Sequence, residues 1–162
     1  NVTPNSFYDG GKHIDEKSIL LQVEKMLLEG ATFIDIGGYS SKPSAEFVTE
    51  EEELQRILPI VQKVLNEFPE TIISIDTFRS KVAKETVESG AAIINDISAG
   101  NLDDAMLQTI ADLQVPYIMM HMRGTPQTMQ KMTHYENIIK EMIYYFIKLL
   151  WREILKFILF RL

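Results

Sequence analysis

Apolar residues recur along this chain in two alternating rhythms. Short, almost uninterrupted apolar runs at Thr32–Ile36, Ile72–Ile75, Ala92–Asn95 and Tyr117–Met120 predict buried strands. Longer stretches with helical spacing separate them and predict helices over Asp15–Leu28, Thr49–Phe68, Arg79–Glu88 and Leu102–Asp112, with a final helix starting near His134. Punctuation agrees with these limits. Asp15 can cap the first helix and Gly30 can end it. Thr49 followed by Glu52 has the form of a capping box, and Gly90 stands where a helix turns out through a left-handed residue. Pro116 opens the last strand, where its missing N–H costs least.

Strands alternating with helices predict a parallel α/β sheet joined by right-handed crossovers. The strands are apolar on both sides, which predicts that both faces of the sheet are covered. Two stretches echo each other: Gly30–Ile36 and Gly90–Ile97 each run from a helix end through a short turn into a buried strand and a polar residue. No linker or low-complexity segment interrupts the pattern.

The strands end in polar groups: Asp35, Asp76, Asn95 with Asp96, and His121. In a barrel of parallel strands such ends open onto one face, which carries chemistry. Any one of them can instead be a cap or turn residue. Four polar ends in succession favour a shared site. The opening stretch Asn1–Gly11 is aperiodic and rich in turn formers, as expected of a loop that orders over a ligand. Gly37–Ser44 combines glycines, hydroxyls and Lys42, donors and a cation that suit a diphosphate, although surface loops often look the same. His121 and Arg123 can bind an anion, and a histidine at a strand end is commonly a satisfied structural group. The Met119, Met120 and Met122 run reads as core, with the second possibility of flooring a flat ring. His13 and His134 read as surface or helix-start residues, and Glu50–Glu53 as the solvated first turn of a helix, matched to its dipole.

Composition narrows the classes. The chain has 162 residues, enough for one domain with a sizeable core. A net charge of −7 argues against nonspecific nucleic-acid binding. With no cysteine, disulfides, thiolate metal sites and cysteine nucleophiles are excluded, which fits a reducing, cytoplasmic setting. There is no P-loop, GxGxxG, HExxH or GxSxG pattern. The chain opens at Asn1 without a basic-then-apolar leader, so its true beginning is expected upstream and no signal peptide is read. Charge is uneven: Ile147–Leu162 holds Lys148, Arg152, Lys156 and Arg161 against Glu153 alone.

The motifs resemble those of dihydropteroate synthases. Asn1-Val2-Thr3-Pro4-Asn5-Ser6-Phe7 is similar to that family's first signature, N-V-T-P-D-S-F, and Asp35-Ile36-Gly37-Gly38-Tyr39-Ser40-Ser41-Lys42-Pro43 to its second, D-I-G-G-E-S-T-R-P. Ser74–Thr77, Asn95–Ser98 and Met120–Pro126 continue the series in family order over Asn1 to about Phe146. The resemblance implies a pterin-binding (β/α)8 barrel, here a partial one of four to five βα units with the C-terminal strands missing. Residues 1–146 would form the incomplete barrel, and 147–162 a divergent apolar and basic tail, helical, read as the product of a shifted reading frame or a truncation.

It also implies a reaction: p-aminobenzoate displaces diphosphate from 6-hydroxymethyl-7,8-dihydropterin diphosphate, giving 7,8-dihydropteroate. Residue by residue, Asn1 matches the Mg²⁺-linked asparagine, Ser41 the hydroxyl at the pterin diphosphate, Asp76 and Asn95 the pair that hydrogen-bonds the pterin ring, and Ile97 and Met120 its apolar contacts. Thr3, Pro4, Phe7, Lys42 and Pro43 match the residues on the p-aminobenzoate side. Asn5 stands for the usual Asp, Ser44 for Gly, and Lys42 for Arg, which keeps the charge but loses the planar fork. The family's later D-P-G-x-G-F segment, late lysine and S-R-[KH] element are absent, so the expectation is a fragment inactive alone. The alternatives are a non-catalytic pterin-binding remnant or a pterin-dependent methyltransferase module. Expected partners are the two small substrates, with no nucleic acid or membrane, and full-length relatives are expected to be homodimers.

Overall fold

The computed structural model describes residues 1–3, 8–9, 13–39 and 47–159. Its strands are β1 (Tyr8–Asp9), β2 (His13–Ile14), β3 (Phe33–Gly37), β4 (Ile72–Asp76), β5 (Ile93–Asp96) and β6 (Tyr117–Met119). Its helices are α1 (Glu16–Leu28), α2 (Glu50–Glu67), α3 (Ser80–Glu88), α4 (Met106–Leu113) and α5 (Ile138–Leu159), with a 3-10 turn at Met129–Lys131. β1, inside the stretch Asn1–Gly11 read as aperiodic, pairs antiparallel with β2 just beyond it. Strands of two residues are too short to leave a period in sequence.

β3 to β6 make a parallel sheet in sequential order, with helices crossing between them. Gly37 pairs with Asp76, Asp76 with Asn95, and Asn95 with Ile118, so the strand ends lie in line. One face of the sheet is sealed. Ile34, Ile36, Ile73, Ile75 and Ile94 are buried there with Ile19, Val23, Leu54, Ile57, Val61, Val64, Val82 and Met106. Each such side chain contributes roughly 1.5–3 kcal/mol by leaving water. The opposite face is open, with Phe33 at 52% and Ile118 at 50% exposure. The expectation that both faces are covered is thus corrected for the described residues. Inward-facing side chains of a closed barrel fill its interior, and a wall of four strands leaves them at the surface.

Helix starts follow the capping chemistry. The Asp15 side chain accepts from Ser18 N at 3.3 Å. Thr49 and Glu52 form the reciprocal box, with Glu52 N to Thr49 Oγ1 at 3.2 Å and Thr49 N to Glu52 Oε2 at 2.8 Å. Gly90 takes φ +107° after α3, a conformation that L side chains resist. Two starts come later than the apolar period predicts. Asp103 turns the chain by accepting from Ser80 N at 2.6 Å and Ala105 N at 2.9 Å, which delays α4 to Met106. α5 begins at Ile138 because Asn137 Oδ1 takes the Lys140 N–H at 3.0 Å. α5 then runs unbroken past position 147. Tyr145 docks it by donating from its hydroxyl to Ser98 O at 3.2 Å.

Candidate functional site

The register brings Asp76 and Asn95 to the open face at the C-terminal ends of β4 and β5, with Asp35 on the same face in the middle of β3. Asn95 Nδ2 donates to Asp35 Oδ2 at 3.3 Å, spanning β4. Ser74 lies on the same face, paired with Asp35 on one side and Ile93 on the other, and its buried Oγ has no hydrogen-bond partner among the described residues. Val2 N donates to Gly37 O at 2.8 Å and so brings Asn1–Thr3 to the end of β3. There Asn1 Oδ1 accepts from Thr3 N at 3.1 Å. Asp76 is pushed up to about 6 by burial first, then by the charges of Asp35, Glu53 and Asp96.

Of the residues predicted from sequence, Asn1, Thr3, Asp76, Asn95, Ile97 and Met120 gather around this mouth. Ile97 follows β5 in phase with Asn95 and is half-buried. Met120 is in phase with Ile118, its N–H donates to Asp96 O at 3.1 Å, and its side chain is exposed. Pro4, Phe7, Ser41, Lys42 and Pro43 lie outside the described residues. The methionine run divides, since Met122 is buried while Met120 is exposed.

Two predicted strand-end groups serve the fold instead. Asp96 points to the sealed face and is 0% exposed. Its carboxylate accepts from Ser98 N at 2.7 Å, Ser98 Oγ at 2.8 Å, Gly100 N at 2.8 Å and Tyr117 Oη at 2.6 Å. His121 packs against Tyr145 and Tyr135, with ring centroids 4.7 and 5.9 Å away. Arg123 is held by His134 O and by Glu141 at 3.7 Å, with the Tyr135 ring at 4.6 Å.

One network escaped the sequence reading. Glu53, the fourth of the acidic run, is 0% exposed rather than solvated. Its Oε2 meets Arg79 Nη1 at 2.6 Å, and its Oε1 accepts from Thr77 Oγ1 at 2.8 Å. Arg79 Nη2 donates to Val48 O at 2.6 Å, and the guanidinium lies 5.2 Å from the Phe78 ring and 5.4 Å from Tyr39. Burial pushes the Glu53 carboxyl up, against the opposing pull of Thr77 and Arg79. The signal was available: Glu53 lies one helical turn before the buried Ile57, on the apolar stripe of α2.

A parallel wall of βα units with its hydrogen-bonding groups at the strand C-termini defines a small-molecule site of the (β/α)-barrel class. The chain belongs to the pterin binding enzyme family, whose model matches residues 1–150. It is similar to the dihydropteroate synthase of Haemophilus influenzae, with 45% identity over 143 residues covering 88% of this chain and 51% of that protein. It is 46% identical over 143 residues to the folic acid synthesis protein of Pneumocystis carinii, covering 88% of this chain and 19% of that protein. Among solved structures, it matches Yersinia pestis dihydropteroate synthase in complex with a sulfonamide drug, at a TM-score of 0.82 and 38% identity, over 94% of this chain and 55% of that one. The Xanthomonas albilineans synthase with 4-aminobenzoic acid matches at 0.79 and 34%, over 94% and 53%. The chain thus spans about half the length of the single-function synthases and less of the longer folate proteins.

Proposed function

We propose that this chain is the N-terminal, pterin-binding part of a dihydropteroate synthase, a transferase of folate biosynthesis. The reaction breaks the bond between the hydroxymethyl carbon and the diphosphate oxygen of 6-hydroxymethyl-7,8-dihydropterin diphosphate. It forms a bond from that carbon to the amine of p-aminobenzoate, which loses a proton; the products are 7,8-dihydropteroate and diphosphate. The observation that carries this reading is the convergence of Asp35, Asp76 and Asn95 on one open mouth. An ionised Asp76 accepts from the N–H-rich edge of a pterin, and the Asn95 amide both donates and accepts. Ile97 and Met120 offer apolar contact to the ring. These groups hold a flat heterocycle in place, and positioning is much of what such a displacement needs.

Magnesium fits the residues present. The Asn1 side-chain oxygen is a hard donor on an exposed residue at the mouth, and Mg²⁺ takes few protein ligands when substrate phosphate supplies others. Bound there, the ion would offset charge on the departing diphosphate. Among the described residues, no cluster of three acidic or histidine side chains competes for it. Thr3, Pro4, Phe7, Lys42 and Pro43 are assigned to the p-aminobenzoate side and Ser41 to the diphosphate. A sulfonamide would compete with p-aminobenzoate there, a reading supported by the sulfonamide complex of the Yersinia pestis synthase. The full-length protein is read as a cytoplasmic homodimer. Among the described residues, no helix is long and apolar enough to cross a membrane.

Titration calorimetry with a pterin diphosphate analogue and Mg²⁺ tests the reading. Heat from the wild-type chain that disappears in Asp76→Ala supports it. Equal heats from both proteins, or none from a folded wild type, would refute it.

A further inference from the structure

We propose that Asp35 is a positioning residue that fixes which way round the Asn95 amide faces a bound ring, and so sets the preference of the site for a 2-amino ring over its 2-oxo analogue. The inference rests on the pterin reading above. The sheet fixes both backbones. Asp35 pairs with Ser74 in the middle of β3, and Asn95 pairs with Asp76 in β5, where Asn95 O accepts from Thr77 N at 3.0 Å. What the sheet does not fix is the last torsion of the Asn95 side chain. Rotation about such a terminal bond is broad and roughly two-fold, and a half turn exchanges the amide oxygen and nitrogen with almost no change of shape. Asp35 decides between the two orientations. A carboxylate offers acceptors only, so it selects the nitrogen: Asn95 Nδ2 donates to Asp35 Oδ2 at 3.3 Å. With one N–H committed, the amide keeps its oxygen and its second N–H for a ligand, one acceptor and one donor in a fixed order.

That order discriminates between heterocycles. Along the edge from N1 to the 2-substituent, a pterin presents a ring-nitrogen acceptor and then an amino donor. A lumazine, with oxygen at position 2, presents an N–H donor and then a carbonyl acceptor in the same two places. A fixed amide matches the first pattern and opposes the second, whereas a free amide turns over and matches either. A site built for one pattern rejects the other because polar groups are left unpaired. Stability is a weak reason for the contact, since Asp35 is exposed and water can serve its carboxylate equally well. Holding a ligand-facing group in one orientation, from a strand on either side of β4, is a use to which the bridge is better suited.

The test titrates two probes, 6-hydroxymethylpterin and 6-hydroxymethyllumazine, into the wild-type chain, Asp35→Asn, Asp35→Ala, Asn95→Ala and the Asp35→Asn, Asn95→Ala double variant, each checked for folding by circular dichroism. The wild type should prefer the pterin. Asp35→Asn keeps the shape of the side chain, but its amide can accept from Asn95 or donate to it, so both orientations are allowed. The preference should then fall by about fivefold or more, partly through tighter lumazine binding, a gain that the loss of a merely structural residue would not give. Asp35→Ala should lower the preference by a similar factor. In the Asn95→Ala background, Asp35→Asn should leave the preference unchanged. No preference in the wild type, an unchanged preference or equal losses for both probes in Asp35→Asn, or a further fall in the Asn95→Ala background would overturn the positioning role while leaving the pterin reading intact. Unfolding of both Asp35 variants would make the residue a folding element and overturn it as well. A folded wild type that binds neither probe would sink the pterin reading itself, and this inference with it.

Discussion

Asn95 reaches across an entire strand to Asp35: its Nδ2 donates to the Asp35 carboxylate at 3.3 Å, with β4 between them. The bridge passes over the strand that carries Ser74 and Asp76 on the same face. Asp76 lies beneath it, and burial first, then the charges of Asp35, Glu53 and Asp96, raise its affinity for protons.

Asp76 is held up to about 6, by burial and by the charges of Asp35, Glu53 and Asp96. Only the ionised carboxylate accepts two N–H groups from a pterin edge. Affinity should therefore rise as pH increases through about 6, by about tenfold between roughly pH 5 and 7. Titration of the pterin probe across that range checks it. A flat profile in the wild-type chain would show that Asp76 does not contact the ligand.

The same group makes a stability prediction of opposite sense. In the folded chain Asp76 binds its proton up to about pH 6, against an ordinary value of 3.8 for the group. Folded molecules hold more protons than unfolded ones between those values, so stability falls as pH rises through the window. Asp76→Asn removes the ionisable group and should stabilise the chain by about 1–3 kcal/mol at high pH, with no comparable gain below the window. Urea denaturation at about pH 8 and pH 3.5 measures the difference. The variant should also bind pterin poorly, a trade of function for stability common at binding sites.

Gly38 is constrained by contact rather than by a special torsion angle. A Cβ there would stand 2.9 Å from Ile57 Cγ1, 3.1 Å from Ile57 Cδ1 and 3.2 Å from Glu53 Cγ. Ile57 is fully buried and has little room to move. Gly38→Ala should cost about 1–3 kcal/mol and disturb the Arg56 bond to the Gly38 carbonyl. Combining it with Ile57→Ala should cost less than the sum of the two single changes, because each relieves the other. Denaturation midpoints of the four chains decide the matter; strict additivity would show that the residues do not meet.

Much of the architecture was legible in sequence because short apolar runs and capping residues are local signals. Thr49 and Glu52 marked the start of α2 to the residue, since a capping box needs only four consecutive positions. The late start of α4 was hidden because Asp103 is engaged by Ser80, 23 positions away in the chain. Glu53 was misread for a similar reason: its neighbours Glu51 and Glu52 are exposed, and the arginine that buries it lies 26 residues further on. Within the candidate site, Asp76 and Asn95 were singled out first as polar strand ends and then through motif resemblance. The side of the sheet each faces depended on register, which gives adjacent residues opposite roles.

Asn95 and Asp96 are the sharpest instance of that alternation. Asn95 faces the open mouth, whereas Asp96 points into the sealed side and takes hydrogen bonds from Ser98, Gly100 and Tyr117. Replacing Asp96 by Ala would remove the acceptor of those four hydrogen bonds from a buried site, at a desolvation cost. The expected destabilisation is about 3 kcal/mol or more. Tyr117→Phe removes only the 2.6 Å hydroxyl contact and should cost about 1–2 kcal/mol. Asn95→Ala, on the exposed side, should leave stability nearly unchanged and weaken pterin binding. Thermal denaturation of the three variants, with pterin titration of each one that folds, separates the two roles. If Asn95→Ala destabilised the fold as much as Asp96→Ala, the assignment of Asn95 to ligand rather than structure would be wrong.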